Sequence, residues 1–147
     1  MKLRGRIAAI DYGLRRIGIA ISDDQKKIAL PLQIVPGGSQ AIEAIQKAFA
    51  EKLPHIEKIL IGLPLLLNGK EMALTAAVKQ FAEQLHLALR IPIEFIDERL
   101  TSKWADSSLR EIQLSRKQRT AKIDIAVATL LLQSYLDGLN VNLCQNP

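Results

Sequence analysis

A mixed α/β sheet covered by helices on both faces is the fold this sequence predicts, on three observations. Apolar runs of strand length follow one another closely up to residue 36. Helical and strand patterns then alternate to the end of the chain. Nearly half of the 147 residues are apolar but only six are aromatic, so the core must be built from Ile, Leu, Val and Ala, as in layered helix and sheet packing.

Ile7 to Ile10 read as a buried strand, Tyr12 to Arg16 as a glycine-containing connection, and Ile17 to Ile21 as its antiparallel partner. Lys27 to Val35 follows through the turn at Asp23, Asp24 and Gln25 and ends at Pro36, Gly37 and Gly38, which completes a three-stranded meander. Ser39 is placed to cap a helix reaching about Leu53, because Ile42, Ile45, Ala48 and Phe49 recur at helical spacing and Pro54 stops it. Lys58 to Gly62 has the unbroken apolar character of a strand buried on both faces. Lys70 to Leu89 gathers Leu74, Ala77, Val78, Phe81 and Leu85 on one helical side. Ile93 to Ile96 gives a fifth strand, Thr101 caps a short helix near Trp104 to Arg110, and Ile123 to Leu139 forms the last helix. Residues 1–139 make a single domain and 140–147 a frayed C-terminal tail.

Charge and cysteine usage narrow the function. A formal charge of +5 favours a polyanionic partner such as nucleic acid. The single cysteine, Cys144, allows neither an internal disulfide nor a cysteine zinc site, which fits a reducing cytoplasm. The longest apolar run, Ile59 to Leu67, is interrupted by Gly62 and Pro64 and falls short of the roughly 18 residues of a spanning helix, so a soluble protein is expected. No P-loop, GxSxG elbow or complete GxGxxG occurs, and His55 and His86 lack HExxH spacing.

Three carboxylates draw attention. Asp11 ends the first apolar run, where a strand end holds a side chain rigidly; its ordinary alternative is turn initiation. Asp124 heads the apolar stripe of the last helix, since Val127, Ala128, Leu131, Leu132 and Tyr135 lie within about 80° of it around the axis. An inward aspartate must find a partner, stay at the rim of the core or bind a cation, whereas first-turn charge alone explains an acid but not its inward phase. Glu98 leaves the fifth strand in FIDERLTS and could equally be a charged strand exit paired with Arg99. If the first, fourth and fifth strands are neighbours, Asp11 and Glu98 stand roughly 10 Å apart in backbone, close enough to share an ion. Three oxygen donors suit Mg²⁺ or Mn²⁺ and phosphate chemistry.

The runs IDYGLRRIGIAISD, LIGLPLLLNG, DERLTS and KIDIAVATLLLQSYL, spread from about residue 7 to residue 137, together resemble the YqgF/RuvX family. That resemblance implies a ribonuclease H-like fold with a five-stranded mixed sheet, and a bacterial cytoplasmic nuclease. The family is described as processing the 5′ end of precursor 16S rRNA and earlier as resolving Holliday junctions. By motif position Asp11, Glu98 and Asp124 would be its acidic triad. The chain departs from the family at Leu65, Leu66 and Leu67, where a more polar stretch ending in Asp-Gly is usual, and at Ile125, usually a small residue.

Arg16, Arg99, Lys122 and the cluster Arg116, Lys117 and Arg119 are the candidate phosphate contacts, the stretch SRKQRTAK being read as a solvated loop before the last helix. The expected partners are precursor rRNA, or branched DNA, and the ribosome, with no membrane, the chain being a monomer or homodimer. Two rivals from other classes stand beside the nuclease. One is an ATP-binding protein of the actin and sugar-kinase type, disfavoured because such proteins bind nucleotide between two domains. The other is a non-catalytic RNA or ribosome-binding module of the same fold.

Overall fold

The computed structural model describes residues 5–52, 55–64, 72–97 and 116–145, the side chains of 51–52, 116–124 and 140–145 excepted. Strands β1 (Arg6–Asp11), β2 (Arg16–Ser22) and β3 (Ala29–Pro36) form the antiparallel meander that the opening apolar runs predict. Helix α1 (Ala41–Lys52), β4 (Ile56–Leu63), α2 (Ala73–Leu89), β5 (Ile93–Asp97) and α3 (Arg116–Gln145) follow. The sheet order is β3-β2-β1-β4-β5, with β1, β4 and β5 parallel. Parallel neighbours need covered crossovers, and α1 and α2 supply them.

Strand alternation divides the core into two layers. Ala8 and Ile10 of β1, with Ile17, Ile19, Ile59 and Ile61, pack against Ile45 and Phe49 of α1 and Val78, Phe81 and Leu85 of α2. Ile7 and Ala9, with Ala20 and Leu60, face the opposite way onto Ala128, Leu132 and Leu136 of α3. Strands β1 and β4 are thus apolar continuously because each is covered twice, and helices lie on both faces as expected.

Two boundaries differ from the expectations. Helix α1 starts at Ala41, whose N–H donates to the Gly38 carbonyl, two residues beyond the predicted cap at Ser39. Helix α3 begins at Arg116, so Arg116, Lys117, Arg119 and Lys122 are helical and not in a loop. It also runs through Gln145, six residues past the predicted end, where a frayed tail was expected. Arg, Lys, Gln and Ala at the start are good helix formers, and neither 116–122 nor 140–145 contains proline; Gly138 is accommodated inside the helix. The expected helix near Trp104 to Arg110 lies outside the described residues. No helix among the described residues is long and apolar enough to cross a membrane.

Candidate active site

Asp11 is the last residue of β1, at the carboxyl end of the parallel strands, and is half-buried. It shares the parity of Ile7 and Ala9, which puts it on the α3 face of the sheet. Its cross-strand partner on β2 is Gly18. On the other side the pairing of Ile10 with Ile61 continues one step to set Asp11 level with Gly62, itself paired with Ile96 of β5. The acid is therefore flanked by glycine on both neighbouring strands, so no side chain from either crowds it at the usual cross-strand distance of about 5 Å.

The adjacency of β1, β4 and β5 meets the condition under which Asp11 and Glu98 come together. Glu98, with Arg99, lies outside the described residues; in sequence it is one residue beyond the end of β5 and has the parity of Glu94 and Ile96.

Two contacts fix the direction of α3. Lys58, near the start of β4, donates to the Tyr135 hydroxyl at 2.8 Å. Ile96, level with Asp11, packs against Val127 and Leu131. Helix α3 thus runs antiparallel to β1, its N-terminal half toward the Asp11 end. The backbone of Asp124 is one turn before Val127 and Ala128, about 5 Å further along the axis. The residues that placed Asp124 on an inward phase are themselves inward: Val127, Ala128, Leu131 and Leu132 are buried. The backbones of Arg116, Lys117, Arg119 and Lys122 occupy the two turns that precede it, and no acid stands in the first turn.

The connections around this end are tightly held. Gly37 N–H donates to the Arg15 carbonyl at 2.9 Å, tying the β1–β2 connection to the end of β3. Tyr12 lays its ring 4.6 Å from that of Phe81. Arg16, a predicted phosphate contact, opens β2 beside Asp11 and is half-buried. Thr75 is fully buried; its hydroxyl donates to the Pro64 carbonyl, just past β4, and accepts from Met72 N–H at 3.0 Å. One hydroxyl thereby joins the two stems from which residues 65–71 depart. Nothing in the sequence singles out Thr75, because its partner lies eleven residues away.

Two groups away from this end have shifted pKa values. The Tyr135 hydroxyl, and more weakly Glu94, hold the Lys58 ammonium above the usual lysine range. The N–H groups of Ile28 and Lys27, bonded to Asp23 Oδ1 at 3.0 and 2.8 Å, hold that carboxyl below the usual range. His86 Nδ1 lies 2.9 Å from the Ile91 carbonyl, a contact between the end of α2 and the approach to β5. Among the described residues no three His, Cys, Asp or Glu gather in a group that could hold a metal.

A family model described as RuvX, Holliday junction resolvase, matches residues 5–138. A protein of Protochlamydia amoebophila with the provisional name pre-16S rRNA nuclease is 44% identical, covering 90% of this chain and 93% of its own. Proteins of the same name from Rickettsia bellii (37%, 91% and 87%) and Chloroflexus aggregans (38%, 90% and 93%) are also similar. Among solved structures, fowlpox virus resolvase with its Holliday junction DNA superposes with a TM-score of 0.56 at 12% identity, over 91% of this chain and 98% of that one. T. thermophilus RuvC with a Holliday junction substrate gives 0.51 at 14%, over 90% and 93%. Identities this low show the fold alone, which is ribonuclease H-like. Matched by the family model along nearly its whole length, and by relatives at 37 to 44% identity, the chain belongs to the RuvX family.

Proposed function

We propose that the chain is a metal-dependent endonuclease that hydrolyses nucleic-acid phosphodiesters, with Asp11, Glu98 and Asp124 as an acidic triad. Its substrate is the 5′ end of precursor 16S rRNA, met in the bacterial cytoplasm and in the company of the ribosome. The observation that carries the reading is the position of Asp11, half-buried at the end of the central parallel strand and flanked by Gly18 and Gly62. The names of its relatives supply the rRNA substrate. Resolution of Holliday junctions is the second reading, favoured by the family description.

The donors fit Mg²⁺ or Mn²⁺, since carboxylate oxygens are the ligands such hard ions take, and the flanking glycines leave room for further carboxylates beside Asp11. When bound, such an ion supplies activation of water and neutralisation of charge on the phosphate and leaving oxygen. Asp11, set by strand pairing on both sides, is the fixed member. Asp124 approaches from α3 and Glu98 from beyond β5. Three carboxylates brought together repel one another, which favours protonation of one or more of them until a cation binds.

Arg16, Arg99, Arg116, Lys117, Arg119 and Lys122 contact the nucleic-acid backbone, Arg99 nearest the scissile phosphate and Lys122 next. The helical backbone of 116–122 supports this role: basic residues are carried on a rigid turn with no acid in it, and the helix N-terminus adds positive potential. Binding by such contacts weakens steeply with salt.

A cleavage assay with Mg²⁺ or Mn²⁺, comparing precursor rRNA, single-stranded RNA and a four-way DNA junction, tests the reading, with Asp11→Asn as the blank. Cleavage of precursor rRNA that vanishes in the variant is the expected result. Equal cleavage by rigorously purified Asp11→Asn protein would overturn it, and a preference for the junction would select the second reading.

A further inference from the structure

Leu14 is the most exposed large apolar side chain among the described residues, 68% accessible, yet it stands on a closely packed turn. Tyr12 is anchored on Phe81. Gly13 lies so close to Arg16 that a Cβ there would stand 2.5 Å from its carbonyl oxygen. Gly37 passes beneath the turn, where a Cβ would come within 2.4 Å of the Leu14 carbonyl oxygen. A loose loop could fold an exposed leucine back onto the surface, but this turn holds it outward. Arg15 is exposed next to it, and Asp11 is three residues away, at most about 11 Å of extended chain.

We propose that Leu14 is a substrate-reading wedge. It contacts the face of a nucleobase near the scissile phosphate, and so makes the enzyme favour nucleotides that are already unstacked over continuous duplex. The proposal rests on the reading of Asp11 as the cleavage centre. Leucine is among the apolar side chains that enter base steps and part them, which costs least where the strand is already unpaired. Among the described residues, which do not include Trp104, aromatic platforms, the usual means of holding bases, are scarce at this end. Phe49 and Phe81 are buried, Tyr12 is stacked on Phe81, and Tyr135 is bonded to Lys58 near the far end of β4. Phe95, though 40% exposed, has the parity of Ile93 and so belongs to the other face of the sheet. A rigid aliphatic tip between Asp11 and the guanidinium of Arg15 is what the described residues of this end offer to a base.

The test compares wild type, Leu14→Ala, Leu14→Met and Arg15→Ala for binding and cleavage of one RNA sequence, presented single-stranded and as a continuous duplex, across a salt series. A 2-aminopurine placed beside the cleaved bond reports unstacking. Wild type is expected to prefer the single strand, and Leu14→Ala to bind it roughly tenfold more weakly, with the preference lost and the salt slope unchanged. The fluorescence rise should vanish with Leu14→Ala and return with Leu14→Met, while Arg15→Ala flattens the salt slope on both substrates. Because Leu14 is exposed, unchanged melting temperatures check that each variant folds. A wild type without preference, or a Leu14→Ala protein that keeps it, overturns the proposal. Absence of cleavage by wild type, with Leu14-dependent binding intact, would count against the nuclease reading and not against the wedge.

Discussion

Replacing Thr75 by valine keeps the shape of the side chain and removes only its hydroxyl, which isolates the clamp between β4 and α2. The hydroxyl is fully buried and serves two backbone groups, the Pro64 carbonyl and Met72 N–H. Pro64 is buried, so its carbonyl is left without a partner among the described residues, at a cost of about 1–3 kcal/mol. Met72 is 39% exposed, and its N–H can turn to water, so only the net worth of a hydrogen bond, about 0.5–1.5 kcal/mol, is lost there. The added methyl returns about 0.8 kcal/mol of burial. The variant should therefore be less stable by about 1–4 kcal/mol, or roughly 2–4 °C in Tm for each kcal/mol in a domain of this size. Thr75→Ser, which keeps the hydroxyl and loses a methyl, should cost only about 1 kcal/mol. Urea unfolding decides the matter: the midpoint of Thr75→Val should fall further than that of Thr75→Ser, with unchanged slope. Hydrophobicity alone predicts the reverse order, and a Thr75→Val protein as stable as wild type would refute the clamp.

Other consequences concern the turns. Gly37→Ala should destabilise by about 1–3 kcal/mol and weaken cleavage, because its Cβ would meet the carbonyl oxygens of Leu14 at 2.4 Å and Gly13 at 2.8 Å, which only a shift of the β1–β2 connection relieves. Gly38→Ala meets nothing within 4 Å and suffers only from its φ of +100°, so its cost of about 1–2 kcal/mol should leave cleavage by the folded protein unchanged; melting curves and rates separate the two. Asp23, whose folded carboxyl lies below its unfolded value, adds stability that is present above the ordinary carboxylate range and lost as pH falls through the folded value. Asp23→Ala should accordingly be less stable at neutral pH and converge with wild type in strong acid, as followed by urea midpoints against pH.

Much of this fold can be read directly from residue order, for physical reasons that also explain what cannot. Ile7 to Ile10 and Ile59 to Ile61 announce strands because both of their faces are covered, which leaves unbroken apolar runs. The inward phase of the last helix is legible because a helix repeats it, and Val127, Ala128, Leu131 and Leu132, which mark that phase in the sequence, are buried. The basic stretch at 116–122 misleads: charge signals exposure, and an exposed segment without glycine or proline can be helix as readily as loop. Gly18 and Gly62 acquire meaning beside Asp11 only through strand register, which depends on β4 crossing to lie parallel to β1. Thr75 reads as an indifferent helix residue until Pro64 is brought to it. What is local or periodic is therefore visible in the chain, and what depends on pairing between distant segments is not.

The convergence of Asp11, Glu98 and Asp124 on one ion is the central claim, and anomalous diffraction from crystals soaked in Mn²⁺ tests it most directly. The account predicts a manganese peak bonded to carboxylate oxygens of Asp11 and Asp124, at the roughly 2.1–2.2 Å usual for such hard-ion contacts, and absent from Asp11→Asn crystals. A peak bound elsewhere, in protein that cleaves with Mn²⁺ and keeps the two aspartates apart, would contradict it.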